Sequence, residues 1–193
     1  MSEITIDDNF IRKWHPKYDK VENDEKEYRE IIEQIRKEDF DRGIISEAIT
    51  RRILRWKKAR RATKFIVNNF VAFSEVVKKC IKLSEEEKLK ILDDFPGIGV
   101  PVGSTILHLI YPDRFPIMDI RTAEVLYCFG YIKTKTRSLK RYIPFRSTIL
   151  DIHKQYPQWS LREIDRALFA YHKIVGKSCS CRCRNKIKKC RGK

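Results

Sequence analysis

Three groups of residues in this chain have chemistry to offer. In Phe95-Pro96-Gly97-Ile98-Gly99-Val100, two glycines flank one apolar residue directly after a proline. Amides of such a turn can lie against a phosphate, and a helix starting just after it adds its partial positive charge. Contacts of that kind hold a nucleic-acid backbone without reading its sequence. The same residues also serve as a plain turn between two helices. The second group is Phe115-Pro116-Ile117-Met118-Asp119, which delivers a carboxylate to the start of an apolar run. Read alone, Asp119 is a helix N-cap for residues 120–129. The third is Cys179, Cys181, Cys183 and Cys190, metal-ligating types in a tail that contains no acid.

The elements around the first two groups are legible. Ser84-Glu85-Glu86-Glu87 is a capping-box pattern and predicts a helix over 85–94. Pro96 stops it, Gly97 and Gly99 permit the dihedrals of a tight turn, and Pro101 suits the first turn of a second helix. Residues 104–111 are apolar except for His108, which reads either as a satisfied core histidine or as a catalytic group. The two prolines of 111–116 make a turn that leads the chain back toward the hairpin.

Together these residues resemble the helix-hairpin-helix DNA glycosylase superfamily, the endonuclease III-like proteins. Phe95-Pro96-Gly97-Ile98-Gly99 is similar to its L-P-G-V-G hairpin, and Ile117-Met118-Asp119-Ile120-Arg121 to its V-D motif, at the family's spacing. The likeness covers roughly residues 83–130. It implies an all-α fold with two helical lobes flanking a cleft. It further implies that Phe95, Pro96, Gly97, Ile98 and Gly99 contact DNA, with a monovalent cation at the hairpin as an option, and that Asp119 is catalytic. A carboxylate there would stabilise the oxocarbenium-like sugar formed when an N-glycosidic bond breaks. The base must first leave the stack for a pocket; Glu47, His108, Tyr111 and Arg121 are candidates for reading it.

The departures narrow the activity. Pro101 stands where strand-cutting members carry a Lys nucleophile, so the resemblance implies a monofunctional glycosylase without Lys-dependent lyase chemistry. Glu124 stands where the family often has Arg, and no Gln-rich duplex-inserting helix is recognisable. The alternative is a non-catalytic DNA-binding module that kept the fold; RNA or a protein partner is a third option.

Composition favours a polyanionic partner, double-stranded DNA first. Lys and Arg number 42 against 26 acids, a formal charge of +16 in 193 residues. No apolar run is long enough to span a bilayer, and no signal-peptide pattern opens the chain, so no membrane association is expected. The expected protein is an intracellular monomer in a reducing compartment, with Cys80 and Cys128 as buried free thiols.

Three regions are expected along the chain: an arm over 1–20, a helical glycosylase-like domain over 21–175 and a basic Cys-rich tail over 176–193. Residues 14–18 read as irregular, with Trp14 and Tyr18 as packing anchors. Tyr28, Ile31, Ile32 and Ile35 form the stripe of an amphipathic helix over 24–40. Ile45, Ile49, Ile53 and Trp56 face inward, although Trp56 could also be a stacking wedge. The acid-free run with Arg51, Arg52, Arg55, Lys57, Lys58, Arg60, Arg61 and Lys64 is either a solvated face or, for lack of a counter-charge, a phosphate contact. A mostly buried central helix is expected over 65–82, and a basic loop with a short helix over 131–146. Ser160-Leu161-Arg162-Glu163 opens a last helix.

The chemistry read here needs no cofactor. Some superfamily members hold an iron-sulfur cluster through C-x6-C-x2-C-x5-C after the last helix, and only Cys183 and Cys190 reproduce its first interval. An iron-sulfur cluster or zinc at the tail stays open beside a basic tail that follows DNA.

Overall fold

A computed structural model of the chain describes residues 4–38 and 43–178; the tail cysteines 179, 181, 183 and 190 lie outside them. Among the described residues all regular secondary structure is helical, so the fold is all-α, as expected. Ten α-helices succeed one another: α1 Asp8–Trp14, α2 Glu25–Lys37, α3 Glu47–Trp56, α4 Arg60–Asn68, α5 Phe70–Ile81, α6 Glu85–Asp93, α7 Val100–Ile110, α8 Ile120–Cys128, α9 Leu139–Gln155 and α10 Leu161–Ser178. No described helix is long and apolar enough to cross a membrane.

The chain divides into two compact units. One contains α2 to α7 (Asp24–Phe115, with Ser138–Lys140); the other contains residues 4–23, Pro116–Arg137 and residues 141–178.

In the α2–α7 unit, Tyr28, Ile31 and Ile35 are the buried face of α2, and Ile49, Ile53, Leu54 and Trp56 that of α3. Trp56 is therefore a core residue, its indole N–H donating to the Asp24 carbonyl at 3.3 Å. Helix α3 stops at Lys58, whose φ of 56° is left-handed. The Ala59 N–H reaches back to the Leu54 carbonyl at 2.9 Å, closing the turn as a Schellman motif in which Lys stands at glycine's usual position. A side chain in that conformation costs about 1 kcal/mol. Lys58→Gly is expected to raise the denaturation free energy by roughly 0.5–1 kcal/mol in urea titrations.

The single central helix expected over 65–82 is overturned. An elbow at Asn69, whose side-chain amide donates to the Phe65 carbonyl at 3.0 Å, splits it into α4 and α5. Phe73, Val77 and Cys80 are buried, but Phe65 and Val71 are exposed. Burial pushes the Cys80 thiol up to about 11, and Cys80 and Cys128 are both buried free thiols.

In the other unit α10 is the central element, packed by α1, α8 and the 3-10 helix His15–Lys20. The irregular N-terminal arm is thus corrected. Phe10 and Ile11 of α1 are buried, and Trp14 meets Tyr171 edge-on at 5.0 Å between ring centroids. Tyr18 is buried too, as an anchor should be. Ser160 and Glu163 make the expected capping box: the Ser160 N–H donates to Glu163 Oε2 at 2.8 Å and the Glu163 N–H to Ser160 Oγ at 3.2 Å. Over 131–146 the short helix is corrected to the start of the 17-residue α9, which buries Tyr142, Phe145, Ile149 and Ile152 despite an internal Pro144.

Candidate functional site

The hairpin forms where the sequence puts it. Ser84 Oγ accepts from the Glu87 N–H at 3.4 Å while Glu87 Oε2 accepts from the Ser84 N–H at 3.1 Å, which fixes the start of α6. The turn closes with Ile98 N–H to the Phe95 carbonyl at 3.0 Å, and α7 begins at Val100 with Pro101 in its first turn. Gly97 has φ 85°, a conformation that favours glycine, whereas Gly99 is extended with φ −119°. Only the first glycine is therefore required by backbone shape.

The two glycines also face different surroundings. A Cβ on Gly97 would stand 2.7 Å from the Phe65 ring and 3.2 Å from the Arg61 carbonyl oxygen of α4. One on Gly99 would meet only Pro101, at 3.8 Å, leaving the room that a phosphate approach needs. Phe95 and Ile98, expected at the DNA surface, turn their side chains into the core; Phe95 stacks edge-on against Phe73 at 5.5 Å. Pro96 is exposed and the glycines half-buried, so the surface the turn offers is Pro96, Gly97 and Gly99.

The start of α7 differs from the anion site expected of it. The Asp93 carboxylate accepts from the Val100 N–H, so the first amide of the helix already has a negative partner. Burial, with the charge of Asp94, pushes the Asp93 carboxyl above its ordinary range, and the Val100 bond only partly offsets this. The neighbouring turn is anchored by a side chain. Arg114 Nε donates to Glu85 Oε1 at 2.6 Å, which ties the turn over 111–115 to the opening end of α6.

The basic run separates into two parts. Arg51 Nε donates to Glu47 Oε1 at 2.7 Å, and Arg52 reaches α2, donating to Gln34 Oε1 at 2.9 Å and pairing with Glu30. The missing counter-charge is thus supplied by Glu47 within α3 and by Glu30 of α2. Arg55, Arg60, Arg61 and Lys64 are exposed, and among the described residues none of the four has an acidic partner. Through Phe65, which rests on Gly97, α4 brings Arg61 and Lys64 to the hairpin side of the unit. Replacing Arg60, Arg61 and Lys64 together by Gln is expected to reduce the slope of log affinity for duplex against log salt by about 2–3, and Arg52→Gln to leave it unchanged, in fluorescence-anisotropy titrations.

Of the base-reading candidates, His108 is a satisfied core histidine: Nε2 lies 3.0 Å from the Tyr28 hydroxyl and Nδ1 2.8 Å from the Phe115 carbonyl oxygen. Glu47 is held by Arg51, and the Tyr111 ring lies between Lys88 and Arg114, at 5.7 and 5.5 Å from its centroid.

Asp119 is the N-cap of α8. Its Oδ1 accepts from the Arg121 N–H at 2.9 Å and lies 3.5 Å from Arg121 Nη1; its own N–H donates to Thr122 Oγ1 at 3.2 Å. The side chain also accepts from the Thr122 N–H, completing a capping box, and is 21% exposed. The carboxylate is thus fixed by the first amides of α8 and remains partly exposed. Arg121 in turn lies over the Phe169 ring, 5.0 Å from its centroid, which steadies the guanidinium beside Asp119.

Sequence reasoning missed the cluster around Glu124. Lys135 Nζ lies 2.7 Å from Oε1 and His172 Nε2 2.8 Å from Oε2, so the acid at this position is neutralised by two cationic or donor groups. Burial pushes the Glu124 carboxyl up, but the bonds and charges of Lys135 and His172 outweigh it and hold the group below its ordinary range. A carboxyl depressed by folding adds stability above its unfolded-state value and loses it as pH falls through the folded one. Wild type is therefore expected to exceed Glu124→Gln by about 1 kcal/mol in urea denaturation at pH 7, with the gap closing as pH falls below the ordinary carboxylate range. His172 stands 48 positions from Glu124, and no local pattern links the two.

Among the described residues no group of His, Cys, Asp and Glu is placed to hold a metal ion. No family model, curated protein or solved structure matches this chain.

Proposed function

We propose that this chain is a DNA-binding base-excision repair protein, a monofunctional DNA glycosylase that hydrolyses the N-glycosidic bond of a flipped damaged or mispaired base. The observation that carries the chemistry is the Asp119 carboxylate, fixed by backbone amides at a helix start and still partly exposed. A carboxylate so oriented stabilises a developing oxocarbenium charge and can orient the attacking water. The observations that support DNA binding are the hairpin, with open space at Gly99, and the acid-free exposed face of α4. The cation implied at the hairpin by the family resemblance is secondary to this reading, which requires no cofactor.

The second reading, a non-catalytic DNA-binding module, is favoured by the complete N-cap role of Asp119, which gives the residue a reason to be there without chemistry. Chromatographic detection of free base separates the two. A glycosylase releases base from at least one duplex in a panel carrying uracil, thymine mismatches, oxidised and alkylated bases. A module binds all of them and releases none.

A further inference from the structure

Arg121 is shared between two groups of opposite character. Its backbone N–H donates to Asp119 Oδ1 at 2.9 Å, and its Nη1 stands 3.5 Å from the same oxygen. A closed guanidinium–carboxylate bond is about 2.7–2.9 Å long, so this pair stays open. The helix cap has no need of the guanidinium, since the Arg121 and Thr122 amides already supply its donors. The head group lies instead over the Phe169 ring of α10, with Cζ 5.0 Å from the ring centroid. The ring is held in turn. Tyr18 tilts against it at 5.4 Å, Lys173 Nζ lies 5.5 Å from its centroid, and its chain neighbours Leu168 and Ala170 are fully buried. Asp119, Arg121, Phe169, Tyr18 and Lys173 all belong to the same compact unit.

We infer that Phe169 is a positioning residue: its ring keeps the Arg121 guanidinium from closing on Asp119, so that the carboxylate keeps its negative charge for the reacting sugar. The inference rests on the glycosylase reading above. An oxocarbenium-like sugar is stabilised by a fixed negative charge, and an arginine closed on that carboxylate would set a positive charge beside the one that develops. The face of an aromatic ring attracts a guanidinium without drawing on a carboxylate. The Arg121 side chain is 36% exposed and so has room to swing; without the ring, the carboxylate already 3.5 Å away would draw it in. Phe169 acts on the chemistry only through Arg121, and Arg121 only through Asp119.

The test uses the full chain and the duplex of the lesion panel that loses its base fastest, with single-turnover rates at saturating protein and affinity by anisotropy. Phe169→Leu is expected to slow base release about tenfold while affinity stays within about threefold of wild type. Should Phe169→Leu not fold by circular dichroism, Phe169→Met, closer in volume, takes its place. Phe169→Tyr keeps the ring and should keep the rate. Removing the guanidinium should remove the need for the ring, so in an Arg121→Gln background Phe169→Leu should change the rate by no more than about twofold. Equal slowing by Phe169→Leu with and without Arg121 would assign the ring to the fold. A loss in Arg121→Gln alone as large as that in Phe169→Leu would assign Arg121 to the chemistry directly. Either result overturns the inference and leaves the glycosylase reading intact. The contact itself is read without substrate by nuclear magnetic resonance: the ring current of Phe169 should move the Arg121 Nε–H signal upfield in wild type and not in Phe169→Leu, and an unshifted signal in wild type would overturn the inference as well. No base release by wild type from any duplex would overturn the glycosylase reading and the inference with it.

Discussion

Gly97→Ala is expected to lower the denaturation free energy by about 2–4 kcal/mol. Two independent penalties combine. The backbone at Gly97 is left-handed, at φ 85°, which costs any residue with a Cβ about 1 kcal/mol or more. The new methyl would also stand 2.7 Å from the Phe65 ring and 3.2 Å from the Arg61 carbonyl, and a backbone oxygen cannot rotate away as a side chain can. Overpacking of this kind costs roughly 1–3 kcal/mol. Gly99→Ala is the matched control. Its backbone is extended and its Cβ site is open, so stability should fall by less than about 1 kcal/mol, the scale of an N-cap substitution. Duplex affinity should nevertheless fall in Gly99→Ala, because a methyl there fills the space a phosphate would occupy. Thermal denaturation with duplex titration of the folded variants measures both. Equal stability losses in the two would contradict the division of labour between the glycines.

Asp119→Asn is expected to reduce base release by about 10²–10³-fold, the scale for removing one preorganised electrostatic group from a reaction that develops charge. The amide oxygen of Asn can still accept from the Arg121 N–H, so the helix cap survives and the fold with it. The formal negative charge is lost, and the oxocarbenium ion loses its counter-charge. Duplex affinity should stay the same or rise slightly, since one repulsive charge has gone from the protein. A reduced affinity accompanied by unchanged turnover would assign Asp119 to binding. Single-turnover rates at saturating protein separate the two effects, because they report chemistry without dissociation.

How much of this was legible depended on whether the signal was local. The capping boxes at Ser84 and Ser160, the stop at Pro96 and the N-cap at Asp119 all act within three residues, and each is found where the sequence puts it. The break after α3 left no such mark, because Lys58 takes the left-handed position that a glycine would have announced. Helix α9 was hidden for a different reason: basic residues and Pro144 obscure a buried stripe over Tyr142, Phe145, Ile149 and Ile152. The charge partners were illegible in principle. Arg52 meets Glu30 and Gln34 from another helix, and Glu124 meets His172 across 48 positions, so an acid-free run in sequence says little about compensation in space. At the hairpin the pattern P-G-I-G located the turn, but which glycine was needed for shape and which left space became clear only from Phe65 packed beside Gly97.

The proposed glycosylase breaks an N-glycosidic bond and leaves the strand intact. Its most direct test is strand cleavage of the lesion panel by the full protein, with and without alkali treatment after the incubation. At least one duplex is expected to be cut only after alkali, which opens an abasic site the protein has made but not cleaved, and Asp119→Asn is expected to remove this product. Binding of every duplex by wild type with no alkali-sensitive site in any of them would contradict it.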